Sequence, residues 1–105
     1  MACGTPCLLP YSSALAEWPN GGVEYYDVYE DMPFVNTGGV NTIMDTPRLD
    51  SFIEKMEKLY TETQYRRDLG YKGYKLVTSS KYQWKEIANQ FHDVFKKVLN
   101  ERVSK

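Results

Sequence analysis

The sequence predicts an α/β fold that is mostly helical in its second half, and three observations carry that expectation. Pro6 opens a short apolar run of strand type, Cys7-Leu8-Leu9. Apolar residues at helical spacing recur in three successive segments after Asp45. Before Asp45, Pro10, Pro19, Asn20-Gly21-Gly22, Pro33 and Asn36-Thr37-Gly38-Gly39 break the chain into short pieces. The chain therefore divides into residues 1–44, a strand and loops, and residues 45–105, three helices. With 105 residues it holds at most one domain, burying roughly 65% of its unfolded surface.

Taken in order, Met1-Ala2-Cys3-Gly4 reads as the last turn of a helix closed by a Gly stop, which implies an upstream portion of the domain. Cys7 to Leu9 is the clearest strand. Ser13 to Trp18 is expected to form one helical turn. The aromatic and β-branched run Val23-Glu24-Tyr25-Tyr26-Asp27-Val28-Tyr29 is an edge strand or an extended loop, and Val40 to Ile43 is a further candidate strand. Asp45 or Thr46 is expected to cap the first helix with Pro47 in its first turn, and Leu49, Phe52, Ile53, Met56, Leu59 and Tyr60 share one face.

Thr61 or Thr63 caps the second helix, which runs to Leu76. Tyr65, Leu69, Gly73 and Leu76 lie on one side, with Arg66, Arg67, Asp68, Lys72 and Lys75 outside. Gly70 and Gly73 each cost about 1 kcal/mol relative to Ala inside a helix, so their presence predicts close contact with a neighbouring element. Ser80-Lys81-Tyr82-Gln83 resembles a capping box for the third helix. Its stripe is Trp84, Ile87, Ala88, Phe91, Val94, Phe95, Val98 and Leu99.

Composition narrows the functional classes. The chain is 42% hydrophobic and 26% charged, with a net charge of −1; no apolar run approaches the ~18 residues of a membrane span. No secretory signal pattern opens the chain, so a cytoplasmic location is the default expectation. No Lys or Arg precedes Arg48, whereas the 13 bases from Arg48 onward interleave with acids at helical spacing, as solvated faces do. That pattern, with an isoelectric point near 5.8, argues against a nucleic-acid partner. Cys3, Cys7 and the single histidine, His92, do not make a four-ligand zinc set, and no metal or cofactor is predicted.

Catalytic candidates are few. His92 sits beside Asp93 on the polar side of the third helix, as a surface residue would. The Gly21-Gly22 and Gly38-Gly39 pairs lack the strand-turn-helix spacing of a phosphate loop and read as turns. Glu17 and the cluster Glu24, Asp27, Glu30 and Asp31 offer paired carboxylates, but with no basic or apolar partner in view they read as a solvated acidic loop.

Four ordered segments then bear on identity: Met1 to Pro6 with the strand behind it, Gly38-Gly39-Val40 with Asp45 and Leu49, Arg67-x-Leu69-Gly70, and Trp84-x-x-Ile87-Ala88. In order and spacing they resemble the closing stretch of retaining GT-B glycosyltransferases of the group 1, or family 4, type. The resemblance looks nearest to viral or microbial members that use nucleotide-activated mannose or related sugars. The acidic segment Val23 to Phe34 departs from the short loop usual there.

The resemblance implies the C-terminal part of a Rossmann-like nucleotide-sugar-binding domain. Its partners would be a nucleotide diphosphate sugar and an N-terminal GT-B lobe. The family's donor-binding Glu-x7-Glu pair, the basic residues that neutralise the diphosphate and the acceptor lobe all fall before Met1. No catalytic, cofactor-binding or metal residue is therefore assigned within this sequence. Thr5 and the loop Tyr11-Ser12-Ser13 would follow the donor-contacting segment closely enough to shape its floor, or serve packing alone. The implied function is that of a partial glycosyltransferase, inactive alone. The alternatives are a non-catalytic interaction module that completes a separate N-terminal lobe, and an unrelated small α/β domain.

Overall fold

The computed structural model describes residues 1–38 and 42–104. It is mixed α/β, as expected, but with more strand than the sequence suggested: two separate two-stranded sheets and three α-helices. Strands β1 (Leu8–Pro10) and β2 (Glu24–Tyr26) pair in parallel, with Leu8 opposite Glu24 and Pro10 opposite Tyr26. Parallel strands need a crossover of about a dozen residues. Here residues 11–23 supply it and contain a 3₁₀ turn at Ser13–Ala16, within the predicted helical turn.

Strands β3 (Val28–Asn36) and β4 (Thr42–Pro47) form an antiparallel hairpin. Of the run Val23 to Tyr29, read as an edge strand or an extended loop, Glu24 to Tyr26 form β2 and Val28 and Tyr29 open β3, and the acidic residues Glu30 and Asp31 lie on β3 instead of in a solvated loop. Glu30 to Pro33 bulge opposite Asp45 while pairing resumes on either side, at Tyr29↔Thr46 and Phe34↔Met44. That interruption hides the strand from any period-2 reading of the sequence. Of the candidate strand Val40 to Ile43, Thr42 and Ile43 belong to β4; Val40 lies outside the described residues.

All three predicted helix starts are corrected. Asp45, Thr46 and Pro47 belong to β4, not to a cap and first turn, because their ladder with Val28 and Tyr29 holds them extended. Helix α1 (Leu49–Thr61) starts after Arg48, whose guanidinium pairs with Asp50 at 2.8 Å. The boundary between the two halves thus falls at residue 48. Helix α2 (Thr63–Val77) has Glu62 at its N-cap instead of a threonine, and Thr61 closes α1 by donating to the Glu57 carbonyl. Ser80–Tyr82 is a 3₁₀ turn, not a capping box, and helix α3 (Trp84–Val103) begins after Gln83 with no side-chain cap.

The packed centre is small and depends on glycine. Val23 and Leu69 are its buried apolar residues, beside a fully buried Pro19. Helix α2 lies across the turns that lead into both parallel strands. A Cβ at Gly70 would collide with the Gly4 carbonyl, and one at Gly73 would sit 2.8 Å from the Gly22 carbonyl oxygen. The contact predicted from the helical glycines is therefore present, and Ala, the better helix former, is sterically barred from both positions. Gly4 itself has φ +75° and closes the first turn by donating its N–H to the Met1 carbonyl, in keeping with its reading as a stop. On the other side α1 meets β2: Tyr26 and Phe52 stack edge to face at 5.1 Å, and the Asp27 N–H donates to Ser51 Oγ. Arg66, placed outside by the sequence, is half-buried and donates to the carbonyls of Leu59 and Tyr60, satisfying the end of α1.

Candidate functional site

Open parallel sheets bind ligands beyond the carboxyl ends of their strands, and a half-open cleft lies there. Its volume is about 530 Å³. Pro10 and Tyr26, the last residues of β1 and β2, form one wall, and Phe34, Ile43 and Met44 of the hairpin form another. Ser12 and Ser13 lie on the floor, as the sequence suggested for that loop, while Thr5 and Tyr11 do not reach it. Thr5 is exposed, and Tyr11 turns away to stack edge to face on Tyr25 at 5.2 Å.

The backbone positions the floor. Tyr11 N–H donates to the Tyr26 carbonyl and Ser12 N–H to the Pro10 carbonyl, so the chain reverses directly after the ladder. Ser13 adopts φ +50°, the one positive φ on a non-glycine residue among those described. Such a conformation costs on the order of 1 kcal/mol and recurs at ligand clamps and active sites. Ser12 Oγ donates to the Asp45 carboxylate, tying the floor to the hairpin. Among the described residues Asp45 is the one charged group that lines the cleft, and no Lys or Arg does so. The cleft alone thus repels a diphosphate and offers a carboxylate to hydroxyl or N–H donors.

A second cluster lies at the start of β2. The Glu24 carboxylate, with its side chain 12% exposed, meets Lys55 Nζ at 3.1 Å and Lys58 Nζ at 3.7 Å, and accepts a hydrogen bond from Tyr65. Lys58 also sits 3.9 Å from the Tyr65 ring centroid. Glu24 is therefore not part of a solvated acidic loop. Its hydrogen bond with Lys55 holds that ammonium above its ordinary pKa. The arrangement joins β2, α1 and α2 and leaves the carboxylate neutralised, which suits a structural clamp better than a proton shuttle. Glu17, Asp27, Glu30 and Asp31 are exposed as expected, and His92 is exposed on α3.

Among the described residues no group of three or more His, Cys, Asp or Glu could hold a metal ion, and no helix is long and apolar enough to cross a membrane. An open depression of about 640 Å³ beside Asp93, Lys97 and Glu101 is one flank of α3, with no second element to enclose a ligand. Sequence reasoning took Asp45 for a helix cap and missed its bond to Ser12. It also missed the lysines on Glu24. Both pairings span more than 30 residues, and no local pattern announces them. Comparison with family models, curated proteins and solved structures returned no match.

Proposed function

We propose that this chain is the closing part of the nucleotide-sugar-binding lobe of a GT-B-type glycosyltransferase, an enzyme that moves a glycosyl group from a nucleotide diphosphate sugar to a hydroxyl acceptor. One observation carries the reading. The segments Met1 to Pro6 and Arg67 to Gly70, singled out separately by their resemblance to family motifs, meet in space: Gly70 packs on the Gly4 carbonyl. Contact between two segments more than 60 residues apart supports reading them as parts of one motif set. The parallel β1–β2 pair, with a cleft beyond its carboxyl ends, is the arrangement such a lobe requires.

In this reading the chain supplies support and not chemistry. Transfer from a nucleotide diphosphate demands stabilisation of the departing diphosphate by cations or helix N-termini, and the cleft holds only Asp45. The cations and the donor-binding Glu pair come from the preceding segment. Calorimetry against guanosine and uridine diphosphate sugars tests this. The chain alone should show no saturable binding, and a chain extended at its N-terminus by a family-4 segment carrying the Glu pair should bind one donor. A folded extended chain that binds none would overturn the assignment.

A further inference from the structure

Helix α3 presents an apolar face with nothing on it. Trp84 is 84% exposed, Phe91 61% and Phe95 62%, with Val94, Val98 and Leu99 also exposed and no buried residue anywhere in the helix. The surplus of surface extends to the whole molecule. A compact monomer of 12.2 kDa exposes about 6,100 Å², whereas this chain exposes 8360 Å². Its radius of gyration is 18.8 Å, against roughly 13 Å for a compact domain of this length.

The spacing on α3 is that of a helix-pair seam. Trp84, Ile87, Phe91, Val94 and Val98 follow one another by alternating steps of three and four, the a and d positions of a heptad. On the same face Ile87, Gln90, Phe91 and Val94 surround a depression of about 250 Å³. Residues at i, i+3, i+4 and i+7 form the four-sided hole that receives one knob from a facing helix. We propose that the occupant is α3 of a second copy of this chain, packed antiparallel, and that the chain is a homodimer through this helix.

Charge and size select the orientation. A parallel pair would set Glu101 against Glu101 of the other copy in the seam and Lys97 beside its Arg102, both repulsive. An antiparallel pair removes both clashes. With Phe91 facing Val94 of the other copy, Ile87 faces Val98, Gln90 lies beside Lys97, and the large Phe95 covers the small Ala88. The knob over the depression is then Val94, and two-fold symmetry repeats the fit. The helix dipoles also oppose one another. A buried aromatic side chain covers about 150–250 Å². Three from each copy, together with the valines and Ile87, reach the roughly 1,000 Å² that a specific interface needs.

This inference does not draw on the donor-lobe reading, since the seam, its hole and its charges all lie on α3 and that reading uses none of them. Sedimentation equilibrium of the full chain at about 10–100 µM should return twice 12.2 kDa. Phe91→Glu should return the monomer mass with far-UV helicity retained, because the ring that Phe91 meets, Phe95 at 6.2 Å, lies one turn on in the same helix and Phe91 stays 61% exposed. Ala88→Glu separates the orientations. In the antiparallel pair it sets a charge against Phe95 twice per dimer and should weaken association at least tenfold, whereas in a parallel pair it lies at the rim beside Gln83. A monomer at 100 µM, an open series of higher masses, or an undiminished dimer with Ala88→Glu would overturn the proposal.

Discussion

Helices α2 and α3 each carry an apolar stripe in the sequence, short on α2 and long on α3, yet they lead opposite lives in the molecule. α2 buries Leu69, Gly70 and Gly73 against the turns before the parallel strands, while α3 buries nothing. The difference lies in what the stripe lacks. The glycines of α2 remove side chains where another backbone must approach, so they mark a contact already made within the chain. α3 has large side chains along the whole face, which suits interdigitation with a separate helix. An amphipathic stripe alone says that a face wants cover; missing side chains say how closely the cover comes.

The sharpest way to break this contrast is truncation on each helix. Leu69→Ala should cost about 2–5 kcal/mol in urea unfolding, as loss of a buried leucine does. Phe95→Ala, measured dilute enough for the chain to be monomeric, should stay within about 0.5 kcal/mol. Equal losses would mean that α3 packs within its own chain after all. Next in size, Gly70→Ala should destabilise by about 1–3 kcal/mol despite its better helix propensity, because the added methyl meets the Gly4 carbonyl. A gain in stability there would remove the contact on which the proposed function depends.

A smaller effect tests the clamp that ties α2 to β2 and α1. Glu24→Gln should cost under about 1 kcal/mol, since its lysine partners are partly exposed and screened. Its signature is the alkaline limb. Lys55 has a pKa raised above 10.5 by Glu24, so its contribution is complete below about pH 10 and fades as pH rises through the raised value. Titration of unfolding between pH 9 and 12 should show that limb in the native sequence and not in the variant. Smallest of all is the exposed Arg48–Asp50 pair. Arg48 lowers the Asp50 pKa below 3.8, so its effect is present above that value and lost as pH falls. Asp50→Asn should move the neutral-pH midpoint slightly downward, by less than Glu24→Gln does, because both partners are exposed and screened.

How much of this was legible in the sequence varies by element. The three helices, the Gly4 stop and β1 were read locally, because apolar spacing and a φ-positive glycine are local facts. The start of α1 was not, because Pro47 looks like a first helical turn until its ladder with Val28 is known. The hairpin was obscured by Glu30-Asp31-Met32-Pro33, whose bulge breaks the alternation. Of the cleft, the Ser12-Ser13 floor could be anticipated from its place after β1. Asp45 and the hairpin wall could not, since they arrive from more than 30 residues away.

The junction before α3 has a mechanical side as well. Tyr82 stacks edge to face on Trp18 at 5.9 Å and donates its hydroxyl to the Trp18 carbonyl, pinning the 3₁₀ turn to the body. Beyond that pin lie 20 helical residues, a rod of about 30 Å. A tilt of about 20° at the pin sweeps the far end through ~10 Å over the same length. The Trp18–Tyr82 pair is thus a pivot with a long lever: softening it would alter where Val103 travels far more than how firmly the body folds.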